Sequence, residues 1–299
     1  MISTNDQRAV DTALDYIKQA QSYLMPALIE QRYERDETFS LKSEEQENPS
    51  YGFDDVSNRI LFKTLAEHGF DCHVFSEEEH TWKTIGNSPK HFVICDPFCN
   101  SSLASRTFRD SAVAICVSNL DGQFAACAIG DLQTKRIYFA DQNGAYVLED
   151  YDQKNGMTSK IHVSAVNTIE DAFIATPLLK SSRRIKVKSM RFFSLAKTIH
   201  GADGAITIAR LAGGYIDAYL DPSKGQPLYE VPCCELIIKA GGIVTDKEGR
   251  PFQLSEIISK LTTDKSERYK IVAACSRDLH NALLNDLILT DKNEQFEDI

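Results

Sequence analysis

A chain of 299 residues, 42% hydrophobic, is long enough to bury a substantial core as one large domain or two tightly joined halves. Its formal net charge of −10 comes with no block of Lys and Arg, which argues against non-specific nucleic-acid binding. No apolar run approaches the ~20 residues of a membrane span, and the first residues lack a signal peptide's basic start and apolar block, so a cytoplasmic protein without membrane contact is expected.

Asn5 or Asp6 can cap a first helix whose apolar positions Ala9, Val10, Ala13, Leu14, Ile17, Leu24 and Leu28 keep helical spacing, with Pro26 as the place for a kink. Glu34 to Pro49 is charged and rich in Ser, Glu and Asn, and reads as a loop; such a loop can close over a site, although a solvated connector is the commoner role. Asp54 stands at the N-cap position of a second helix, Asp55 to Glu67, which turns Val56, Ile60, Leu61 and Leu65 inward. Short strands follow at His73 to Phe75 and Phe92 to Cys95. From Ser111 the pattern becomes an antiparallel meander: Ser111 to Val117, a turn at Asp121-Gly122, Phe124 to Ile129, Arg136 to Ala140 and Ala145 to Leu148.

Asp150 to Lys160 reads as a linker and sets the division, with residues 1–155 as an N-terminal α+β half and 156–299 as a C-terminal α/β half. In the second half the strands Ile161 to Ser164 and Ala172 to Thr176 lead into a helix, Gly204 to Ala212, closed by Gly213-Gly214. A strand at Tyr215 to Leu220, a helix at Glu230 to Ala240 closed by Gly241-Gly242, and a strand at Lys270 to Ala274 come next. Ser276 caps a last helix, and the tail after Asp291 is expected to fray. The eight cysteines lie mostly inside apolar stretches and read as small core hydrophobes rather than as disulfides or zinc ligands.

The apolar run His91-Phe92-Val93-Ile94 opens into Cys95-Asp96-Pro97-Phe98-Cys99-Asn100-Ser101-Ser102. A strand that ends in Asp-Pro and small polar residues can bring a carboxylate, backbone N–H groups and a hydroxyl to one point, which suits a metal ion and a phosphate. Two companions accompany it: Ser76-Glu77-Glu78-Glu79 after a strand, and Tyr229-Glu230-Val231-Pro232-Cys233-Cys234 ahead of Ala240-Gly241-Gly242. Each also has a plainer reading. Asp54 can be a helix cap only, Glu77 to Glu79 a solvated acidic turn, and Asn100, Ser101 and Ser102 the cap of a short helix.

Together and in this order, the three segments resemble the signature of the inositol monophosphatase superfamily, lithium-sensitive, magnesium-dependent phosphatases in which Gly-Glu-Glu, Asp-Pro-Ile-Asp-Gly-Thr and Trp-Asp-x-Ala-Ala-Gly follow one another. Asp54, the segment Gly204 to Tyr219 and Ile271 to Cys275 extend the resemblance over most of the chain. It implies an α+β fold, layered as an αβαβα sandwich, with an antiparallel sheet half and a mixed α/β second half. It also implies a homodimer formed through the sheet-bearing halves; Phe124, Ile137, Tyr138, Phe139 and Tyr146 read as apolar surface for that contact.

The implied cofactor is magnesium, with manganese as a substitute. Glu77, Asp96 and the backbone carbonyl of Phe98 would form a first metal site, whereas Cys99 and Glu230 stand where the family places aspartates for a second. A thiol with an ordinary pKa near ~8.5 is mostly neutral at pH 7 and offers sulfur where a hard cation prefers oxygen, so the second ion should bind weakly. Asp54 and Ser101 stand for the family's water-activating Asp and Thr. Asn100, Ser101 and Ser102 would cradle a phosphate, and Asp203, Gly204, Asp221 and Lys224 fall near the family's hydroxyl-binding positions. The expected activity is hydrolysis of a small phosphorylated polyol, sugar or nucleotide by metal-activated water. The alternatives are a pseudophosphatase acting as a binding or regulatory protein, which Cys99, Glu230 and Pro232-Cys233-Cys234 favour, and a different activity on the same scaffold.

Overall fold

The computed structural model describes residues 4–30, 52–106, 108–153, 156–177, 194–201, 203–222, 225–264 and 266–292. The expected loop at Glu34 to Pro49, the acidic tail and Lys224 lie outside them. Two helices, α1 (Thr4–Glu30) and α2 (Gly52–Glu67), precede eight strands: β1 (Cys72–Ser76), β2 (Trp82–Ile85), β3 (His91–Cys99), β4 (Ala112–Asn119), β5 (Phe124–Asp131), β6 (Ile137–Asp141), β7 (Gly144–Glu149) and β8 (Met157–Lys160), with a short helix α3 (Ser101–Ala104) after β3. The second half contributes β9 (Phe173–Ala175), β10 (Thr198–His200), α4 (Ala205–Ala212), β11 (Ala218–Leu220), β12 (Gln226–Pro227), α5 (Glu235–Lys239), β13 (Ile243–Asp246), α6 (Leu254–Thr263), β14 (Arg268–Tyr269), β15 (Ile271–Ala274) and α7 (Arg277–Lys292).

The first eight strands form one sheet in the order β2-β1-β3-β4-β5-β6-β7-β8, in which β1 and β3 are parallel and the other neighbours antiparallel. A second sheet runs β10-β9-β11-β15-β13. Helices α1 and α2 cover one face of the first sheet; α4 and α5 lie between the sheets, and α7 packs on β15. This is the αβαβα layering the resemblance implied.

Because both faces of the first sheet are covered, its strands read as continuous apolar runs rather than as an alternation. Along β4, Val113, Ile115 and Val117 face the α1/α2 layer, while Ala112, Ala114 and Cys116 face the layer between the sheets. The same two-sided burial corrects one expectation: Phe124, Ile137, Tyr138 and Phe139 are buried within the chain and are not spare surface for a dimer. The packing of α1 depends on a glycine. A Cβ at Gly130 of β5 would lie 2.4 Å from Ile17 Cγ2, so the helix sits where only a bare backbone lets it approach.

Several boundaries differ from the sequence reading. Asn5 and Asp6 lie inside the first turn of α1, where Asp6 complements the positive end of the helix dipole, and the helix continues through Pro26. Asp54 is likewise in the first turn of α2, not at its cap. The end of the expected linker is β8, an exposed edge strand held to β7 by backbone pairing. Ile161 to Ser164 is no strand; the Val163 N–H goes to the carbonyl of Ala240 at 3.2 Å instead. The helix expected from Glu230 begins only at Pro232, as a 3-10 turn that leads into α5. Ser276 does cap α7, its Oγ accepting the Leu279 N–H at 3.2 Å. All eight cysteines are free and buried. Among the described residues, no helix is long and apolar enough to cross a membrane.

Candidate active site

The parallel pairing of β1 with β3 builds the site's centre. Ser76 lies opposite Cys95 in the last pair of the parallel ladder, so the residues that follow, Glu77 and Asp96, leave it at the same level. Asp96 is 1% exposed and Glu77 is buried in the 3-10 turn that follows β1. Burial, the Glu77 and Glu230 carboxylates nearby, and a hydrogen bond with Glu77 hold the Asp96 carboxyl well above the ordinary carboxylate range.

Beyond Asp96 the pairing with β4 slips: Asp96 faces Ala114 and Cys99 faces Ala112, so Pro97 and Phe98 bulge outward opposite one residue. Proline suits that place because it has no N–H to lose from the ladder. Asp96 Oδ1 accepts the Phe98 N–H at 3.1 Å, which fixes the carboxylate over the bulge. Asn100 then turns the chain with φ +65°, a left-handed conformation that asparagine tolerates, standing where the family signature has glycine. Its side-chain amide donates to the carbonyls of Asp110 at 2.9 Å and Asp203 at 3.0 Å, and so ties the two halves of the site. Ser101 and Ser102 open α3, whose first intrahelical bonds, from Leu103 and Ala104 to the Asn100 carbonyl, follow them.

Asp54 is 2% exposed, and its neighbour Phe53 stacks on Phe98 of the bulge with ring centroids 4.1 Å apart. Two polar chains clamp α2 in this position. Ser76 Oγ donates to Asn58 Oδ1 at 2.7 Å and Asn58 Nδ2 to Glu79 Oε1 at 3.0 Å, while Glu79 pairs with Lys83. Beneath Asp96, the buried Tyr16 hydroxyl lies 3.1 Å from Ser57 Oγ and accepts the Cys95 thiol at 3.4 Å.

Cys99 is buried against the second half. Its Sγ accepts the Ala205 N–H at 3.2 Å, and the neighbouring Gly204 makes room: a Cβ there would lie 2.2 Å from the sulfur, at a φ of +74° that side chains avoid. Burial, then the charges of Asp96 and Glu230, push the thiol up, so it stays neutral. Asp203 and Asp221 are buried, with Asp221 accepting the Gln226 amide at 2.7 Å. Both flank Tyr219, whose phenol is pushed up by burial, by these two acids and by Glu230.

The structure therefore brings Glu77, Asp96, Cys99 and Glu230 together, with Asp203 and Asp221 joined to them around Tyr219, while Asp54 and Ser101 are buried in the first turns of α2 and α3. Sequence reasoning gave no role to the Tyr229 hydroxyl, which donates to Glu77 Oε1 at 2.7 Å, or to Tyr16, Asn58 and Gln226; contacts across up to 152 residues leave no signal in local pattern. Among the described residues, no three His, Cys, Asp or Glu side chains already stand as a metal cage. The donor chemistry nevertheless fits one hard cation. Two buried carboxyl groups, Glu77 and Asp96, adjoin each other, and a divalent ion would neutralise their charge. Neutral, tethered Cys99 fits such an ion poorly.

The inositol monophosphatase family profile matches residues 9–285. The chain belongs to the inositol monophosphatase family, a class of phosphoric monoester hydrolases. Among curated proteins it is similar to a bifunctional NADP phosphatase/NAD kinase of Methanococcus maripaludis, 26% identical over 234 residues that cover 71% of this chain and 38% of that protein. The chain thus spans well under half the length of that relative. Among solved structures it is similar to the extragenic suppressor protein SuhB of Bartonella henselae (TM-score 0.73, 21% identity, 93% of this chain and 97% of that one) and to the IMPase of Thermotoga maritima (TM-score 0.72, 13% identity, 95% and 98%). A third, an inositol monophosphatase-fructose 1,6 bisphosphatase, gives a TM-score of 0.70 at 20% identity over 92% of this chain and 98% of that one. At these identities the three structures speak to the fold.

Proposed function

We propose that the chain is a divalent-metal-dependent phosphomonoesterase that hydrolyses a small phosphorylated polyol, sugar or nucleotide. The observation that carries this reading is the juxtaposition of the buried Glu77 and Asp96 carboxyls just past the end of the β1–β3 ladder, with Ser101 opening α3 and Asp54 in the first turn of α2 as the candidate partners. Glu77, Asp96 and the Phe98 carbonyl would hold magnesium or manganese. When bound, the ion supplies a polarised phosphoryl group and a water acidified toward neutral pH.

The remaining work falls to the chain. Ser101 Oγ and the Asp54 carboxylate orient the attacking water and take its proton, while the backbone N–H groups at Ser101 and Ser102 hold phosphate oxygens. Water adds to phosphorus, the bond from phosphorus to the ester oxygen breaks, and that oxygen takes a proton from a solvent water and leaves as an alcohol, while Asp54 later returns its proton to solvent. Asp203 and Asp221 accept hydrogen bonds from hydroxyls of the leaving part, with Gly204 giving it room. A panel of inositol, sugar and nucleotide monophosphates, assayed for phosphate release with magnesium, manganese and zinc, tests this. Silence across the panel would move the weight to a pseudophosphatase, the reading that the tethered thiol of Cys99 favours.

Cys99 also yields a prediction. Cys99→Asp keeps an acceptor for the Ala205 N–H and adds an oxygen donor, so a second divalent ion should bind about tenfold more tightly and turnover should rise. Calorimetry and steady-state rates check it; a fall in turnover would give the thiol a role of its own. The buried free cysteines accord with a reducing compartment, and the cytoplasm is the proposed location. A homodimer is proposed on the family resemblance alone. Light scattering at low micromolar protein should return twice the monomer mass, and a monomer at every concentration would refute it.

A further inference from the structure

We propose that Tyr229 is a positioning residue for cation binding: its hydroxyl holds the Glu77 carboxylate in the orientation from which it meets a divalent ion. The inference rests on the metal-dependent reading above and adds to it a residue outside the donor set.

Tyr229 belongs to the irregular segment ahead of Pro232, and its O–H donates to Glu77 Oε1 at 2.7 Å. The ring that carries this hydroxyl is itself fixed. It stacks on Phe75 with centroids 6.5 Å apart and 20° between planes, and Phe75 in turn meets Trp82 edge-on at 5.5 Å. Phe75 lies in β1 two residues before Glu77, so one short stretch of backbone carries both the carboxylate and the surface that aims its partner.

The geometry does two things. A glutamate has three rotatable bonds, and a donor at one oxygen selects a single orientation, one in which the carboxylate also meets Asp96. Asp96 is likewise fixed by the Phe98 N–H and by its hydrogen bonds with Cys99 and Glu77, so both acids at the centre are held by neighbouring donors. Partners of this kind set the orientation of metal-ligating side chains, and their loss typically costs 10- to 100-fold in metal affinity. Tyr229 also adjoins Glu230, so the bond ties the segment bearing Glu230 to the end of β1.

The test is a calorimetric titration of the full chain with manganese and then magnesium, for the natural sequence and for Tyr229→Phe, together with thermal unfolding in chelator. Phenylalanine keeps the ring and its stacking and removes only the donor. The proposal predicts a dissociation constant raised about 10- to 100-fold with a metal-free unfolding midpoint that stays put. Unchanged affinity overturns it, and so does tighter binding, which would mean that the phenol competes with the ion for Glu77. A second comparison separates aim from packing. In a Glu77→Gln background, Tyr229→Phe should cost no further metal affinity, whereas an equal loss in both backgrounds would reduce Tyr229 to a packing role. A natural chain that binds neither ion would fail at the earlier step and remove the metal-dependent reading itself.

Discussion

Asp96→Ala is expected to abolish divalent-cation binding at the Glu77–Asp96 site and to lower phosphate release by roughly 10³-fold, the counterpart of about 4 kcal/mol of transition-state stabilisation by a bound ion. The substitution removes the carboxylate at the centre of the site, with Glu77 and Glu230 around it. The loss should not be a loss of fold. Burial and the neighbouring acids raise the Asp96 carboxyl above its ordinary range near ~3.9, so in the folded chain its protonated form is favoured. A carboxyl raised in this way gives stability at acidic pH that disappears as pH climbs from about 4 through the raised value. At pH 7 the metal-free natural chain bears this burden and Asp96→Ala does not. Thermal unfolding in chelator should therefore show the variant at least as stable as the natural sequence at pH 7, with less decline between pH 4 and pH 7, while calorimetry shows its metal binding gone. A variant that binds manganese as tightly as the natural chain would remove Asp96 from the donor set.

Asp54→Asn and Ser101→Ala should each lower turnover by at least about 10²-fold if the two side chains prepare the attacking water. Asparagine is close in size to aspartate and keeps an acceptor oxygen, but it takes no proton. Alanine at 101 removes the hydroxyl at the opening of α3 and leaves the backbone N–H groups that would hold phosphate. Substrate KM should change far less than the turnover number, since neither change removes a donor to phosphate. The double variant should fall well short of the product of the single losses, because residues that serve one proton transfer fail together. Full activity in either variant would assign water activation elsewhere.

Much of this molecule is legible in its residues, and the reasons for the rest are specific. The meander strands announce themselves as apolar runs bounded by turns, and α6 carries Leu254, Ile257, Ile258 and Leu261 at helical spacing, a signal available to a closer reading. β8 was hidden because Met157-Thr158-Ser159-Lys160 has little to bury; the backbone alone pairs it with β7. Ile161-His162-Val163-Ser164 misleads in the opposite direction, alternating like a strand while its backbone docks on the end of α5. Ile137-Tyr138-Phe139-Ala140 demands cover on both faces, and composition cannot say whether the chain's own helices or a second copy provides it. The proximity of Glu77 and Asp96 was expected from motif order, since acids that follow short apolar strands declare themselves locally. The supports did not. Tyr229 on Glu77 and Ala205 on Cys99 span 152 and 106 positions, and only the packed layers bring them together.

The central claim is that Glu77, Asp96 and the Phe98 carbonyl hold a divalent ion against a bound phosphate. A crystal structure of the full chain grown with millimolar manganese and inorganic phosphate, with anomalous scattering to locate the metal, tests it most directly. The account predicts an anomalous peak in contact with those three groups and a phosphate between it and the Ser101–Ser102 turn. An ordered site at that manganese concentration with no peak between Glu77 and Asp96 would contradict it.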